Sequence, residues 1–199
     1  MEDRAALKEA WISPQPRSGG LKVAVAYPNS YRVGMSNLGY QAILRAFLED
    51  QRFDTRRVFW EDQALRFPDG GRTLGDFDAV ALSVSYQPDM VHLPRLLEKG
   101  KAGPPGSRTR PLIIGGGVAL TINPETSSCL FDIVVLGDAE PVIPALQEAL
   151  LSHADRNTLL DGMEKVPGVY IPARYEHRTA SDGSFLIPSP CRDSPSKIA

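Results

Sequence analysis

Five short runs of aliphatic and β-branched residues, set apart by longer polar segments, constrain this chain more than any other feature. They are Leu21 to Tyr27, Thr55 to Phe59, Ala79 to Ser85, Leu112 to Gly115 and Ile133 to Leu136. A strand covered by helices on both faces reads as a nearly continuous apolar run, and four of the five read that way. The second contains Arg56 and Arg57 and is expected at a sheet edge. The segments between them have the helical period. Met35, Leu38, Ala42, Ile43 and Ala46 fall on one stripe, with Gln41, Arg45 and Glu49 opposite. Pro94 belongs in the opening turn of a helix over Met90 to Lys99, and Pro141 and Pro144 open one that runs to Leu151. Strands alternating with helices imply right-handed crossovers and a parallel sheet. The expected fold is therefore doubly wound α/β, with a flavodoxin-like five-stranded parallel sheet in the order 2-1-3-4-5.

The flanks read differently. Residues 1–20 form an N-terminal arm and linker, with a short helix expected from Ala5 to Trp11 ahead of the breaker-rich stretch Ser13 to Gly20. The α/β domain spans 21–152. Residues 153–199 form an extension, with a strand at Val166 to Pro172. A small β-hairpin follows, its arms Tyr175 to Arg178 and Phe185 to Ile187 flanking Ser181 to Ser184. A net charge of -2 and the absence of a basic stripe disfavour a nucleic-acid partner. No signal-peptide layout opens the chain, and no apolar run approaches the roughly 20 residues that cross a bilayer. Cys129 and Cys191 have neither metal-site nor redox spacing, so a cytoplasmic location is expected.

Ligands in open parallel sheets bind beyond the carboxyl ends of the strands, and the sequence there is suggestive. The first strand is followed by a long polar loop containing Asn29, Ser30, Tyr31 and Gly34, which leads to a helix N-terminus. The third ends in Ser83 and Ser85 followed by Tyr86, the fourth in Gly115, Gly116 and Gly117, and the fifth in Gly137, Asp138 and Glu140. Small hydroxyls supply hydrogen bonds, an aromatic supplies a cover, and glycines let a ligand approach the backbone. Each feature alone also suits an ordinary turn or a helix cap. There is no G-x-G-x-x-G after the first strand, no G-x-x-x-x-G-K-[ST] and no G-x-S-x-G, which disfavours dinucleotide, P-loop and α/β-hydrolase chemistry. His92, His153 and His177 stand apart from any carboxylate or cysteine at ligand spacing. A flavin enzyme has only the fold in its favour.

The string Ala26-Tyr27-Pro28-Asn29-Ser30-Tyr31-Arg32-Val33-Gly34-Met35-Ser36-Asn37-Leu38-Gly39-Tyr40 resembles the opening of a radical SAM family with a cobalamin-binding-like N-terminal domain. So do Phe77-Asp78 through Ser83 to Tyr86, Gly115 to Gly117 with Asn123-Pro124-Glu125, and Phe131-Asp132 through Gly137 to Glu140. The resemblance covers about Leu21 to Leu151. It implies a cofactor site made of Asn29, Ser30, Tyr31, Gly34, Ser83, Ser85, Tyr86, Gly115, Gly116, Gly117, Gly137 and Glu140. Cobalamin domains place D-x-H-x-x-G after the first strand. Asn29 to Gly34 keeps that spacing without the acid or the histidine, so Tyr31 stands where a cobalt ligand would. A tyrosine is a poor substitute for imidazole. Either cobalamin binds with no protein ligand to its metal, or the fold persists without the cofactor.

The resemblance also implies an iron–sulfur cluster and S-adenosylmethionine, but only in a radical SAM core. The C-x-x-x-C-x-x-C loop of such a core is absent from this sequence, so the chain is expected to be non-catalytic alone. The core would lie in cis or on a separate subunit. Two functions follow as expectations. One is a B12-binding-like module that holds a corrinoid or substrate at the sheet edge. The other is a cofactor-free interaction domain that docks a radical SAM partner through an exposed patch of Trp11, Trp60, Tyr170 and Tyr175.

Overall fold

A computed structural model describes residues 18–71, 73–104, 107, 109–152, 155–176, 181 and 188–191. The expected helix at Ala5 to Trp11, most of the hairpin turn and the arm Phe185 to Ile187 lie outside the described residues. The main sheet contains β1 (Leu21–Tyr27), β2 (Phe53–Glu61), β3 (Ala64–Arg66), β4 (Ala79–Ser83), β5 (Leu112–Gly116), β6 (Ile133–Val135) and β7 (Val169–Tyr170). Their spatial order is β3-β2-β1-β4-β5-β6-β7. The helices are α1 (Tyr31–Gly34), α2 (Leu38–Glu49), α3 (Leu93–Lys99), α4 (Val118–Ile122), α5 (Ile143–Leu151) and α6 (Arg156–Met163).

The expected five-stranded, wholly parallel sheet is corrected to a seven-stranded, mostly parallel one. Neighbours from β2 through β6 pair in parallel, while β3 and β7 add antiparallel strands at the two edges. The β2–β3 hairpin was hidden because its two-residue turn is Asp62-Gln63. Both residues adopt left-handed backbone, φ 51° and 60°, without the glycine that usually announces such a turn. β3 covers only the last three residues of β2, Phe59 to Glu61, so the earlier part, with Arg56 and Arg57, is the edge expected there. Its buried arginine is tolerated because it is paired: Arg57 meets Asp69 at 2.6 Å, with both side chains buried. A small separate hairpin does form, but β8 (Tyr175–Glu176) pairs with β9 (Ser189–Pro190).

Alternation along the strands divides the core in two. Val23, Val25 and Tyr27 of β1 face Leu44 and Phe47 of α2, Leu146 of α5 and Met163 of α6. Ala24 and Ala26 join Leu93 and Leu96 of α3, Leu120 of α4 and Phe131 on the other face. This is the period-two signature of a sheet covered on both sides. Asn37 caps α2 by accepting from the Tyr40 amide at 2.9 Å. Trp60 and Tyr170 are 6% and 3% exposed, so the expected aromatic patch is corrected. Trp11 lies outside the described residues, and Tyr175 packs its ring on Tyr170 at 4.9 Å.

Burial has a pH consequence. Tyr40 is fully buried and donates its hydroxyl to the Val25 carbonyl. Burial pushes its pKa well above the ordinary 10.0, and burial followed by the Glu125 carboxylate raises Tyr170. A raised folded-state pKa means that the unfolded chain loses these protons first. Stability is therefore complete below the ordinary tyrosine value and falls as pH rises beyond it. Urea midpoints measured at neutral and strongly alkaline pH should show a clear loss on the alkaline side, reduced in Tyr40→Phe. A flat profile contradicts this.

Candidate functional site

The parallel strands all point their carboxyl ends to one edge, and a cleft of about 630 Å3 opens there. One wall is the start of α2, from Ser36 to Gly39 with Ala42 and Ile43. Ser83 and Ser85, at and beyond the end of β4, form the floor; Gly117, Val118 and Thr121 form the second wall, and 137–140 with Ile143 close the far side. Below lies a narrow apolar slot of about 30 Å3 over the sheet, lined among others by Phe47, Ala81, Ile114 and Leu146.

Local geometry explains why these residues stand there. Gly117 has φ +108°, and a Cβ on it would meet the Val84 carbonyl oxygen at 2.5 Å. The β4 and β5 ends approach this closely because the Val84 amide donates to the Gly116 carbonyl at 2.8 Å. The Gly137 amide donates to Thr121 Oγ1 at 2.9 Å, and that hydroxyl donates to the Gly117 carbonyl. The 137–140 turn is thus tied to α4 across the cleft. Ser83 is 2% exposed. It shares a strand face with Ala79 in the core and Ala81 in the slot, and its hydroxyl has no hydrogen-bond partner among the described residues. Beside Ser85, burial raises the Tyr27 pKa and the Asp89 charge adds to it, while a hydrogen bond to Ser85 opposes them.

Of the residues expected to hold a cofactor, Ser83, Ser85, Gly117, Gly137 and Glu140 line the cleft. The others do not. Asn29 is spent on structure: its Nδ2 donates to Asp89 at 2.9 Å and its Oδ1 accepts from the Ser30 amide. Ser30 precedes α1 as its N-cap without a side-chain cap bond. Tyr31 is buried against Phe59, ring centroids 5.0 Å apart, with the Arg66 guanidinium over its ring at 4.7 Å. A Cβ on Gly34 would strike the Phe59 ring at 2.6 Å, and one on Gly115 would strike Phe131 at 2.7 Å. Both serve packing. Gly116 faces the slot rather than the cleft. Tyr86 is 62% exposed on the rim. His92 rests near Trp60.

Asn37, Gly39, Ile43 and Thr121 line the cleft without having been expected there. The signal for Asn37 was available, since an asparagine before an amphipathic stripe is an N-cap pattern. Thr121 carried none, because its role depends on 137–140 folding back to it. Among the described residues, no group of three or more His, Cys, Asp or Glu could hold a metal ion, and no helix is long and apolar enough to cross a membrane.

A family model described as radical SAM proteins, N-terminal, matches residues 40–172. The chain belongs to that family. The match runs from the first turn of α2 to just beyond β7 and so includes the cleft apart from the Ser36 to Gly39 wall. No curated protein matches the chain. The large exposed apolar side chains among the described residues are Val33, Leu38, Tyr86, Val91, Val118 and Ile122. All follow β1, β4 or β5, which are adjacent strands, so they lie beyond the carboxyl edge of the sheet, and Leu38 and Val118 line the cleft itself.

Proposed function

We propose that this domain holds a corrinoid at the carboxyl edge of its sheet and presents it to a radical SAM core seated on the apolar rim. The observation that carries the reading is the cleft: about 630 Å3, within the range of small-molecule sites, with the Ser83 hydroxyl, free of protein partners, opening onto its floor. Ser83, Ser85, Gly117 and Gly137 would hold the cofactor. The fit has two limits. An aromatic base exceeds the present slot, so its entry requires α2 and α5 to part around Ile43 and Leu146. Tyr31 is packed under Arg66 and offers no ligand to cobalt, so a corrinoid here would bind without a metal–protein bond. The chain has two cysteines, and cluster chemistry would belong to the core.

Gel filtration with hydroxocobalamin at high micromolar concentration tests this. The expected result is co-elution of the visible absorbance with protein, unchanged in Tyr31→Phe and weakened in Ser83→Val. Absence of corrinoid from the protein peak removes the reading. The rim favours a second one, in which the domain docks a radical SAM core without a cofactor. That reading expects capture of a purified core to be lost in Leu38→Asp/Ile122→Asp and to be indifferent to corrinoid.

A further inference from the structure

The charge of the cleft restricts what can enter it. The ionisable side chains that line it are Asp138 and Glu140; among the described residues, no lysine, arginine or histidine lines it. Neither carboxylate is engaged in an ion pair or hydrogen bond with another described residue. Each is at least partly exposed, so they are hydrated acceptors available to a ligand. On the opposite wall the Leu38 and Gly39 amides, in the first turn of α2, have no backbone acceptor, and a Cβ on Gly39 would meet nothing nearer than Asn37 Oδ1 at 3.4 Å. Between the two walls lies the Ser83 hydroxyl, 2% exposed and unpartnered, on the strand face that points toward the slot. The residue is held in the core while its hydroxyl, free of protein partners, opens onto the cleft, which marks it as a contact point for a ligand.

We infer that the cleft takes a neutral or cationic ligand with an amine, amide or hydroxyl donor toward Asp138 and Glu140 and a neutral acceptor toward Ser83 and the α2 amides. A terminal, doubly charged phosphate is disfavoured. It would lie close to two unneutralised carboxylates, with only helix-end amides to offset them, and like charges at such range repel by more than one helix N-terminus supplies. The cleft therefore discriminates against flavin mononucleotide and other phosphate-headed ligands, which an α/β sheet of this kind would otherwise suit. Asp138 and Glu140 are the specificity-determining residues. This rests on the reading of the cleft as a ligand site, but not on the ligand being a corrinoid.

A matched series of fragments tests the charge rule: benzylamine, benzyl alcohol and benzyl phosphate, titrated to millimolar concentration while the Gly39, Gly117 and Gly137 amide resonances are followed. The expected order of affinity is amine, then alcohol, then phosphate, with the amine favoured over the phosphate by roughly tenfold or more. In Asp138→Asn/Glu140→Gln that preference should collapse to within about twofold. Neither side chain is buried, so the double variant keeps the core intact. Ser83→Ala should weaken the alcohol, whose oxygen can accept from the Ser83 hydroxyl, more than the amine, whose ammonium has no acceptor. Phosphate binding equal to or tighter than the amine overturns the inference, as does a series that moves none of the three amides. A hydroxocobalamin arm separates the two ideas. The amine preference without corrinoid binding sinks the corrinoid reading and leaves this one standing. Corrinoid binding with no amine preference does the reverse.

Discussion

Asp132→Asn is expected to destabilise the domain by about 3–5 kcal/mol, the cost of leaving a buried charge without its partner. One carboxylate oxygen of Asp132 accepts from Arg110 at 2.9 Å and from Arg156 at 2.7 Å. The other accepts from the Ile113 amide at 2.7 Å. This carboxylate binds the chain just before β6 to the start of β5 and to α6, at the edge of the sheet away from the cleft. The Arg110 side chain is 2% exposed, and its Nε already lacks a partner. Asparagine preserves the shape but removes the charge that offsets the guanidinium. Urea denaturation should show the midpoint falling by about 1 M or more with the slope unchanged. Arg156→Ala, which leaves Asp132 its bond to Arg110, should cost clearly less, since the Arg156 side chain is 22% exposed. A midpoint for Asp132→Asn equal to the parent's would show that the carboxylate does not anchor this corner.

Gly117→Ala is the second large effect, about 3 kcal/mol or more, and it should also remove ligand binding. Two penalties combine. At φ +108° any side chain strains the backbone by about 1–3 kcal/mol. The new Cβ would also stand 2.5 Å from the Val84 carbonyl oxygen, a backbone atom with no freedom to swing aside. Relief requires the β4 and β5 ends to separate. That breaks the bond from the Val84 amide to Gly116 and the one from the Ala119 amide to Val84. Gly137→Ala is the comparison. It has φ +85° but nothing within 4 Å of an added methyl, so the backbone strain of about 1–2 kcal/mol stands alone. Equal costs for the two variants would refute the close-approach argument.

The same two positions show how much of the site was legible in the chain. A glycine run after the fourth apolar stretch marked a place where backbone conformation mattered. It did not distinguish Gly115, which makes room for Phe131, from Gly117, which borders the cleft. The first loop misled more. Asn29, Tyr31 and Gly34 match a cofactor loop in spacing, yet hydrogen bonds to Asp89 and packing on Phe59 use them up inside the protein. Spacing along a chain says nothing about which partner, ligand or protein, a side chain will meet.

By itself the sequence determined the layered α/β fold, the places of the parallel strands, and the edge at which polar and glycine-bearing turns collect. Those features follow from local periodicity and from the handedness of βαβ crossovers, which need no distant partner to be specified. Only the tertiary structure decided the two antiparallel edge strands, the burial of Trp60 and Tyr170, and the membership of the cleft. Each of these depends on contacts between residues far apart in the chain: Thr121 with Gly137, Arg57 with Asp69, Val134 with Tyr170. Such pairings are set by how the layers pack, and no local pattern encodes them.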